Sequence, residues 1–125
     1  MPIPLDRQIS GKLGEDLACR ELERRGYAIL ARRYRTRFGE IDIISRDGET
    51  TVFVEVKARR SPHPGGAAES ITARKRRRIG AMALDYLAWT GRLESPCRFD
   101  VVAIDGLGTE EMTLRLIPDA FQFDR

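Results

Sequence analysis

Apolar residues in the first part of the chain recur with the spacing of an amphipathic helix. The pattern runs from Ser10 to Arg25, and Gly26 follows it as a C-terminal stop. The residues on its apolar arc are Leu13, Leu17, Ala18 and Leu22. The next segment, from Tyr27 to Tyr34, is predicted to form a strand.

Two further β-rich segments flank Asp47-Gly48, a dipeptide typical of a tight hairpin turn. They run from Gly39 to Ser45 and from Thr51 to Arg59. Each contains a run of branched or aromatic apolar residues, which predicts strands that are buried on both faces.

A second helix is predicted from about Ser70 to Trp89, after the breaker-rich loop from Ser61 to Gly66, and it ends near Gly91. Strands from Arg98 to Ile104 and from Met112 to Ile117 follow. The element order α-β-β-β-α-β-β predicts an α/β fold with a mixed β-sheet flanked by helices.

Length and composition indicate one globular domain spanning 1–125, with its core from about residue 10 to 118. The chain has 125 residues, of which 42% are hydrophobic. It contains no apolar run near the roughly 20 residues that a membrane span needs, and its N-terminus lacks an apolar stretch of signal-peptide length. We therefore expect a cytoplasmic protein with no membrane partner.

Cysteine and histidine are too few for several kinds of chemistry. Cys19 and Cys97 lie far apart and form no C-x-x-C pair, and the lone histidine, His63, lies between two prolines. Histidine-based metal sites and Ser-His or Cys-His nucleophiles therefore lack their usual base. Any bound metal must be held by carboxylates.

The basic residues are mostly arginine. The net charge is only +3, but 19 of the 22 basic residues are arginine, whose planar fork suits phosphate. A genome-wide coding bias toward arginine explains the same count equally well. The positions of these residues must therefore decide between the two explanations.

A carboxylate and an amine share one face of the predicted strand from Thr51. Side chains alternate along a strand, so Glu55 and Lys57 point away from the valines. If Asp47-Gly48 forms a two-residue loop, Glu40 faces Glu55, and Asp42 faces Phe53 and lies diagonal to Glu55. These polar groups are then expected to converge.

A bound metal would give a chemical reason for these carboxylates to converge. Three carboxylates on one patch repel one another unless a cation or a lysine neutralises them. Magnesium prefers such oxygen ligands and lowers the pKa of an attacking water, while Lys57 would steady that water or the charge building on phosphorus. The pattern predicts metal-assisted phosphodiester hydrolysis, with Asp42, Glu55 and Glu40 as metal ligands.

An ordinary explanation competes with this one. An isolated E-x-K is more often an exposed hairpin face with Glu–Lys pairs. The apolar runs around Asp42 and Glu55 reduce the weight of that alternative, because charges inside a buried strand pair need a reason to exist.

Four segments of the chain resemble a known family. They are Gly11-x-x-Gly14-Glu15-x-x-Ala18, Gly39-Glu40-Ile41-Asp42-Ile43-Ile44, Val52-Phe53-Val54-Glu55-Val56-Lys57-x-Arg59 and Phe99-Asp100-Val101-Val102. The chain is similar here, from about Gly11 to Ile104, to the YraN family of uncharacterised bacterial proteins. Through that family it resembles the PD-(D/E)xK nuclease superfamily, most closely the archaeal Holliday junction resolvases.

This resemblance implies a restriction-endonuclease-like core and a Mg²⁺-dependent nuclease site, with Mn²⁺ as a substitute ion. Asp42, Glu55 and Lys57 match the catalytic positions, and Glu15 matches a further acidic residue of the resolvases. Ile41 stands where the superfamily name has proline. From the residues alone, Glu15 lies on the rim of the apolar helix face, where it could reach a metal or merely favour the helix dipole.

Two basic stretches are candidate phosphate contacts. In the predicted second helix, Lys75 and Arg78 fall on the same arc as the apolar residues, so they face the sheet. The stretch Arg32–Arg37 surrounds an aromatic residue, which suits backbone contacts or base stacking. We expect nucleic-acid contacts from Lys75, Arg78, Arg33, Arg35 and Arg59, although charge runs are usually solvated and long basic side chains also snorkel past a core.

Two classes of function follow. The first is a metal-dependent endonuclease acting on structured, branched DNA, with Asp42, Glu55, Lys57 and Glu15 as catalytic residues. The second is a non-catalytic nucleic-acid-binding module that works with a partner protein. DNA is favoured over RNA as the partner, and a homodimer is expected if two strands are cut symmetrically.

Overall fold

The computed structural model describes residues 7–62 and 71–122. Its helices are α1 (Arg7–Arg24) and α2 (Ala73–Trp89), and its strands are β1 (Ala28–Thr36), β2 (Gly39–Asp47), β3 (Thr50–Arg59), β4 (Cys97–Asp105) and β5 (Thr113–Phe121). The predicted element order is confirmed. The predicted helix start at Ser70 and most of the proline-glycine loop, with His63, lie outside the described residues.

The five strands form one sheet in the order β1-β2-β3-β4-β5. Strands β3 and β4 pair in parallel, and the other neighbours pair antiparallel. Two adjacent parallel strands need a long crossover connection, and α2 lies in the chain between them. The mixed sheet predicted from the sequence is therefore confirmed.

Each face of the sheet packs against its own set of apolar residues. One cluster joins Ala18 and Leu22 of α1 to Val52 and Val54 of β3. The other cluster includes Phe53 of β3 and, from α2, Ile79, Met82, Ala83 and Leu87. Side chains of β3 thus alternate between two cores, as its valine pattern predicted. Neither described helix is long and apolar enough to cross a membrane.

A close contact positions α1 on the sheet. A Cβ atom on Gly14 would lie 3.3 Å from the Cβ of Ala58 on β3. This contact is tighter than ordinary van der Waals packing, so α1 or β3 would have to shift to admit a side chain there. Gly14 therefore sets the distance at which α1 and its next residue, Glu15, meet the sheet.

The predicted pairing of β2 with β3 is wrong by two residues. Asp47 pairs with Thr50 and Ile43 pairs with Val54, so the turn consists of Gly48 and Glu49 rather than Asp47 and Gly48. A shift of one residue would move every side chain to the other face, whereas a shift of two restores the same faces. The shift by itself therefore leaves the predicted faces unchanged, but Glu40 does not pair with Glu55, and Asp42 does not pair with Phe53.

A buried carboxylate joins β4, β5 and the residue that precedes β1, on the α1 face of the sheet. Asp100 is fully buried and accepts hydrogen bonds from Arg98 Nε (3.0 Å), the Tyr27 hydroxyl (3.3 Å) and the backbone N–H of Asp119 (2.9 Å). Because these donors satisfy the carboxylate, Asp100 has a structural explanation that needs no ligand.

Candidate active site

The candidate site lies where β2 and β3 separate. Their ladder ends at Ile43 and Val54, and Asp42 and Glu55 are the next residues on the two strands. Beyond this point the backbone N–H of Val56 donates to Asp42 Oδ2 over 2.8 Å. A side chain of β2 thus bonds the backbone of β3, and the Asp42 carboxylate is held between the strands beside Glu55.

The regular alternation of β2 breaks at Asp42. Ile41 and Ile43 should share one face of a regular strand, yet they belong to the cores on opposite faces of the sheet. On the neighbouring strand, Arg33 has a φ of 53°, a left-handed conformation that non-glycine residues rarely adopt. Irregularities of this kind re-aim side chains next to functional sites.

Glu15 of α1 is near the break. Its Oε1 accepts a hydrogen bond of 2.9 Å from Arg33 Nε, and its side chain is 12% exposed. Its charge also contributes to the raised pKa of Asp42. The structure therefore places Glu15 within electrostatic reach of Asp42 and neutralises it with an arginine.

Two lysines surround Glu55. Lys75 Nζ, from the first turn of α2, lies 2.6 Å from Glu55 Oε1, and Lys57 Nζ lies 3.8 Å from the same atom. All three side chains are largely buried, since they are only 11% (Glu55), 21% (Lys57) and 23% (Lys75) exposed. The prediction that Lys75 faces the sheet is confirmed.

Burial and charge change the protonation of Asp42. Burial, reinforced by the neighbouring Glu55 carboxylate, raises the pKa of Asp42 to about 7. The hydrogen bond from Val56 and the charge of Lys75 act in the opposite direction. Asp42 therefore lies in a place where a negative charge is costly unless a further cation compensates it.

The pKa values of the two lysines shift in opposite directions. Burial and the adjacent Lys75 lower the pKa of Lys57. Burial acts to lower the pKa of Lys75, but its hydrogen bonds to Glu55 and Lys57 and the charges of Glu55 and Asp42 together raise it. Lys57 is thus the amine of the pair that gives up its proton more readily, as a proton-transfer role requires.

The carboxylates of this site suit magnesium only if further ligands come from outside the protein. Within the described residues, no group of three or more His, Cys, Asp or Glu side chains is close enough to hold a metal ion. Magnesium is often held by only one or two carboxylates, with waters and substrate phosphates completing its shell. Asp42 and Glu55 would supply those two carboxylates, and the burial and the Glu55 charge that raise the pKa of Asp42 disfavour an uncompensated negative charge there.

Glu40 is placed differently from the other predicted ligands. The ion pair that the structure shows for Glu40 is with Arg35, at 3.8 Å, on the outer part of the β1–β2 hairpin. The pairing that would have set Glu40 against Glu55 is the one that the observed register replaces. Glu40 as a metal ligand remains a prediction.

The predicted phosphate contacts fall into two groups. Arg33 and Arg59 are paired with buried carboxylates, since Arg33 Nε donates to Glu15 and Arg59 Nε donates to Asp105 over 2.8 Å, although the Arg33 side chain is 52% exposed. Arg35 is 82% exposed, and Arg78 is exposed. A Cβ on Gly39, where φ is 131°, would lie 4.0 Å from Arg78 Cδ, which places Arg78 over the start of β2.

Two further residues with chemistry suited to nucleic acid escaped the sequence interpretation. Phe38 is 43% exposed in the β1–β2 turn, with Arg37 Cζ 4.8 Å from the centre of its ring. Arg115 is exposed and pairs with Ala103, which also pairs with Lys57. The sequence itself shows a cation, Arg37, next to an aromatic residue, Phe38. Arg115 has no such local signal, because it is aligned with Lys57 only by the pairing of strands that are distant in sequence.

Comparison with known proteins identifies the family. Residues 14–104 match the model of the uncharacterised protein family UPF0102. The chain belongs to this family. The match includes Glu15, Asp42, Glu55, Lys57 and Lys75, so every acidic and lysine residue of the site described above lies within the region that defines UPF0102.

Individual relatives support this membership across most of the chain. A UPF0102 protein of Syntrophus aciditrophicus is 52% identical over 114 residues, which cover 90% of this chain and 88% of the relative. A UPF0102 protein of Symbiobacterium thermophilum is 46% identical over 111 residues, covering 89% and 94%. One of Geobacter metallireducens is 46% identical over 112 residues, covering 90% and 91%. The resemblance to the YraN family is confirmed as this UPF0102 membership.

Proposed function

We propose that this UPF0102 protein is a cytoplasmic, metal-dependent endonuclease that hydrolyses phosphodiester bonds in structured, branched DNA. The observation that carries the proposal is the meeting of Asp42, Glu55 and Lys57 at the separation of β2 and β3. Two half-buried carboxylates on neighbouring strands, with an amine 3.8 Å from one of them, have the composition that phosphodiester hydrolysis needs.

In this proposal Asp42 and Glu55 hold Mg²⁺, or Mn²⁺ in its place. The ion, when bound, polarises the scissile phosphate and lowers the pKa of a water molecule. The hydrogen bond from Val56 to Asp42 orients that carboxylate, whose side chain is only half-buried. Glu15 and Glu40 are second-rank candidates, because each already has an arginine partner.

Lys57 takes part in proton transfer or stabilises developing charge. Its lowered pKa suits a group that accepts a proton from an attacking water. When protonated, the same amine would stabilise negative charge that develops on the phosphate oxygens. Both roles require Lys57 at this position and predict loss of cleavage without it.

The surface next to the site suits a phosphate backbone. The first turn of α2 contains no acidic residue and begins a run of five basic residues, Arg74 to Arg78. The N-terminus of a helix already carries partial positive charge, so added cations there favour an anionic partner. Arg35 and Arg78 extend this charge along the β1–β2 hairpin, and Phe38 offers a ring for base stacking.

The decisive experiment compares cleavage of labelled four-way junction, flap, duplex, single-stranded DNA and RNA, each with Mg²⁺, Mn²⁺ or EDTA. We expect metal-dependent cutting that is strongest on a branched DNA. Lys57→Ala should lower the rate by about a hundredfold or more, with binding within about twofold, because Lys57 is one of many cationic contacts. Lys12→Ala, which removes an exposed lysine of α1, is the matched control and should cleave as the parent does.

A second candidate function is a non-catalytic nucleic-acid-binding module that works with a partner protein. The observation that favours it is the 2.6 Å contact of Lys75 with Glu55, which neutralises that carboxylate without any metal. Binding to every substrate without cutting, equal in EDTA and Mg²⁺, would support this module. Cutting of RNA alone would instead change the substrate of the proposed enzyme, and symmetrical cuts in a junction would support a homodimer.

A further inference from the structure

Lys75 occupies a position that the proposed metal also needs. Its ammonium lies 2.6 Å from Glu55 Oε1, a distance typical of a strong charge-assisted hydrogen bond. Its charge also lowers the pKa of Asp42, so it acts on both carboxylates of the site. A divalent ion bound by Asp42 and Glu55 would require these same oxygens.

The helix α2 by itself does not favour a lysine at position 75. Thr72 caps α2 by accepting a hydrogen bond of 3.1 Å from the backbone N–H of Lys75, which puts Lys75 in the first helical turn. Cations there are unfavourable, because the N-terminus of a helix carries partial positive charge. Lys57 is a second amine near the same Glu55 oxygen, at 3.8 Å. The attraction of the carboxylates therefore holds Lys75 in the site, despite the unfavourable partial positive charge at the start of its own helix.

We propose that Lys75 is an internal cation that competes with divalent metal for Glu55, and that a nucleic-acid phosphate draws it away. This inference rests on the proposed function, because it assumes a metal at Asp42 and Glu55. A phosphate near the start of α2 offers Lys75 another anionic partner and lies beside Arg78 on the same helix. Release of Glu55 then strengthens metal binding, so metal and nucleic acid bind cooperatively, and each increases the affinity for the other by the same factor.

The first test measures Mn²⁺ binding to the full chain by calorimetry, without nucleic acid. Lys75→Met keeps most of the length of the side chain and removes its charge, so Mn²⁺ should bind about tenfold or more tightly. Lys75→Arg keeps the charge and should bind Mn²⁺ as the parent does. Arg74→Met removes an exposed charge from the same helical turn and is the matched control, with an expected change below about twofold at physiological salt.

The second test measures the coupling itself. In a Lys57→Ala background, which the proposed function predicts to be inactive, duplex DNA should tighten Mn²⁺ binding several-fold. Adding Lys75→Met to that background should remove most of this effect, since the metal no longer has a competitor for DNA to draw away. Circular dichroism of each variant checks the fold, and Lys75→Gln provides a second neutral variant with a polar end.

The outcomes separate this inference from the proposed function. Unchanged or weaker Mn²⁺ binding by both neutral variants overturns the inference, even if the parent cleaves DNA. Tighter binding by these variants supports it, even if no substrate is cut, in which case only the nuclease proposal fails. If no variant binds Mn²⁺, both fail together, because the metal site itself is then absent.

Discussion

The Asp42 carboxylate accepts a hydrogen bond of 2.8 Å from the backbone N–H of Val56 on the neighbouring strand. This bond holds a half-buried acid next to Glu55, at the point where the ladder between β2 and β3 ends. Burial and the Glu55 charge then raise the pKa of Asp42 to about 7. The hydrogen bond from Val56 thus explains the position of the Asp42 carboxylate, and its burial beside Glu55 explains why it resists ionisation.

We expect the stability of the metal-free protein to depend on the protonation of Asp42. A pKa that is higher in the folded than in the unfolded chain means that folding favours the protonated acid. This contribution is fully present below the ordinary pKa of 3.8 and is lost as the pH rises through about 7. Asp42→Asn cannot ionise, so relative to the parent its free energy of unfolding should rise across this window, by on the order of 2–4 kcal/mol.

Urea denaturation in EDTA at several pH values measures this difference. Asp16→Asn is a control of opposite sign, because the hydrogen bond from Arg32 lowers the pKa of Asp16. That variant should be less stable than the parent at neutral pH, with the gap closing as the pH falls below about 4. A pH-independent difference between Asp42→Asn and the parent would show that Asp42 ionises in the fold as it does in solvent.

The predicted phosphate contacts make a separate prediction about salt. Arg35 and Arg78 are exposed at the β1–β2 hairpin and on α2. Replacing either with glutamine should weaken binding to junction and duplex DNA alike. Each replacement should also reduce the slope of log K against log salt by about one, since one phosphate contact and its released counterion are lost.

Fluorescence anisotropy over a range of salt concentrations tests this, with Arg46→Gln as the matched control. Arg46 is an exposed arginine at the opposite end of β2, near the turn at Gly48 and Glu49. It lies four residues from Asp42, roughly 13 Å along the strand. If Arg46→Gln changed the slope as much as the other two, DNA would be bound by the overall charge rather than by this surface.

Much of the fold and part of the site could be predicted because their signals are local in sequence. The alternation of Val52, Val54 and Val56 with Glu55 and Lys57 assigned the faces of β3, which the two cores confirm. The helical phase of α2 placed Lys75 toward the sheet, and its contact with Glu55 agrees. Both predictions needed only the period of a strand or a helix.

The register and the irregular backbone could not be predicted, because they depend on contacts between distant segments. Asp47-Gly48 suggested a turn, but pairing of Asp47 with Thr50 moves the turn by one residue and the register by two. The left-handed conformation of Arg33 accompanies its hydrogen bond to Glu15 on α1. No property of the residues around Arg33 distinguishes it from its neighbours, so only the assembled fold reveals this break.

We expect replacement of the buried Asp100 to lower the stability of the fold without a direct effect on catalysis. Asp100→Ala would leave the Tyr27 hydroxyl and the Asp119 N–H without this acceptor and would remove one carboxylate partner of Arg98, which keeps Asp47, at a cost of about 3–5 kcal/mol in the free energy of unfolding. Asp100 pairs with Val54, whose side chain lies in the α1 core. It therefore faces away from Glu55, and folded variant protein should keep its metal affinity.

Asp47→Ala is the comparison that makes this prediction specific. Asp47 also pairs with Arg98, at 3.2 Å, but its side chain is 46% exposed. Loss of an exposed pair costs at most about 1 kcal/mol, so urea denaturation followed by circular dichroism should separate the two variants clearly. Similar losses for both would mean that Arg98, rather than burial of the Asp100 carboxylate, dominates the network. A change in Mn²⁺ affinity in folded Asp100→Ala would mean that the two faces of the sheet are coupled through β3 and β4.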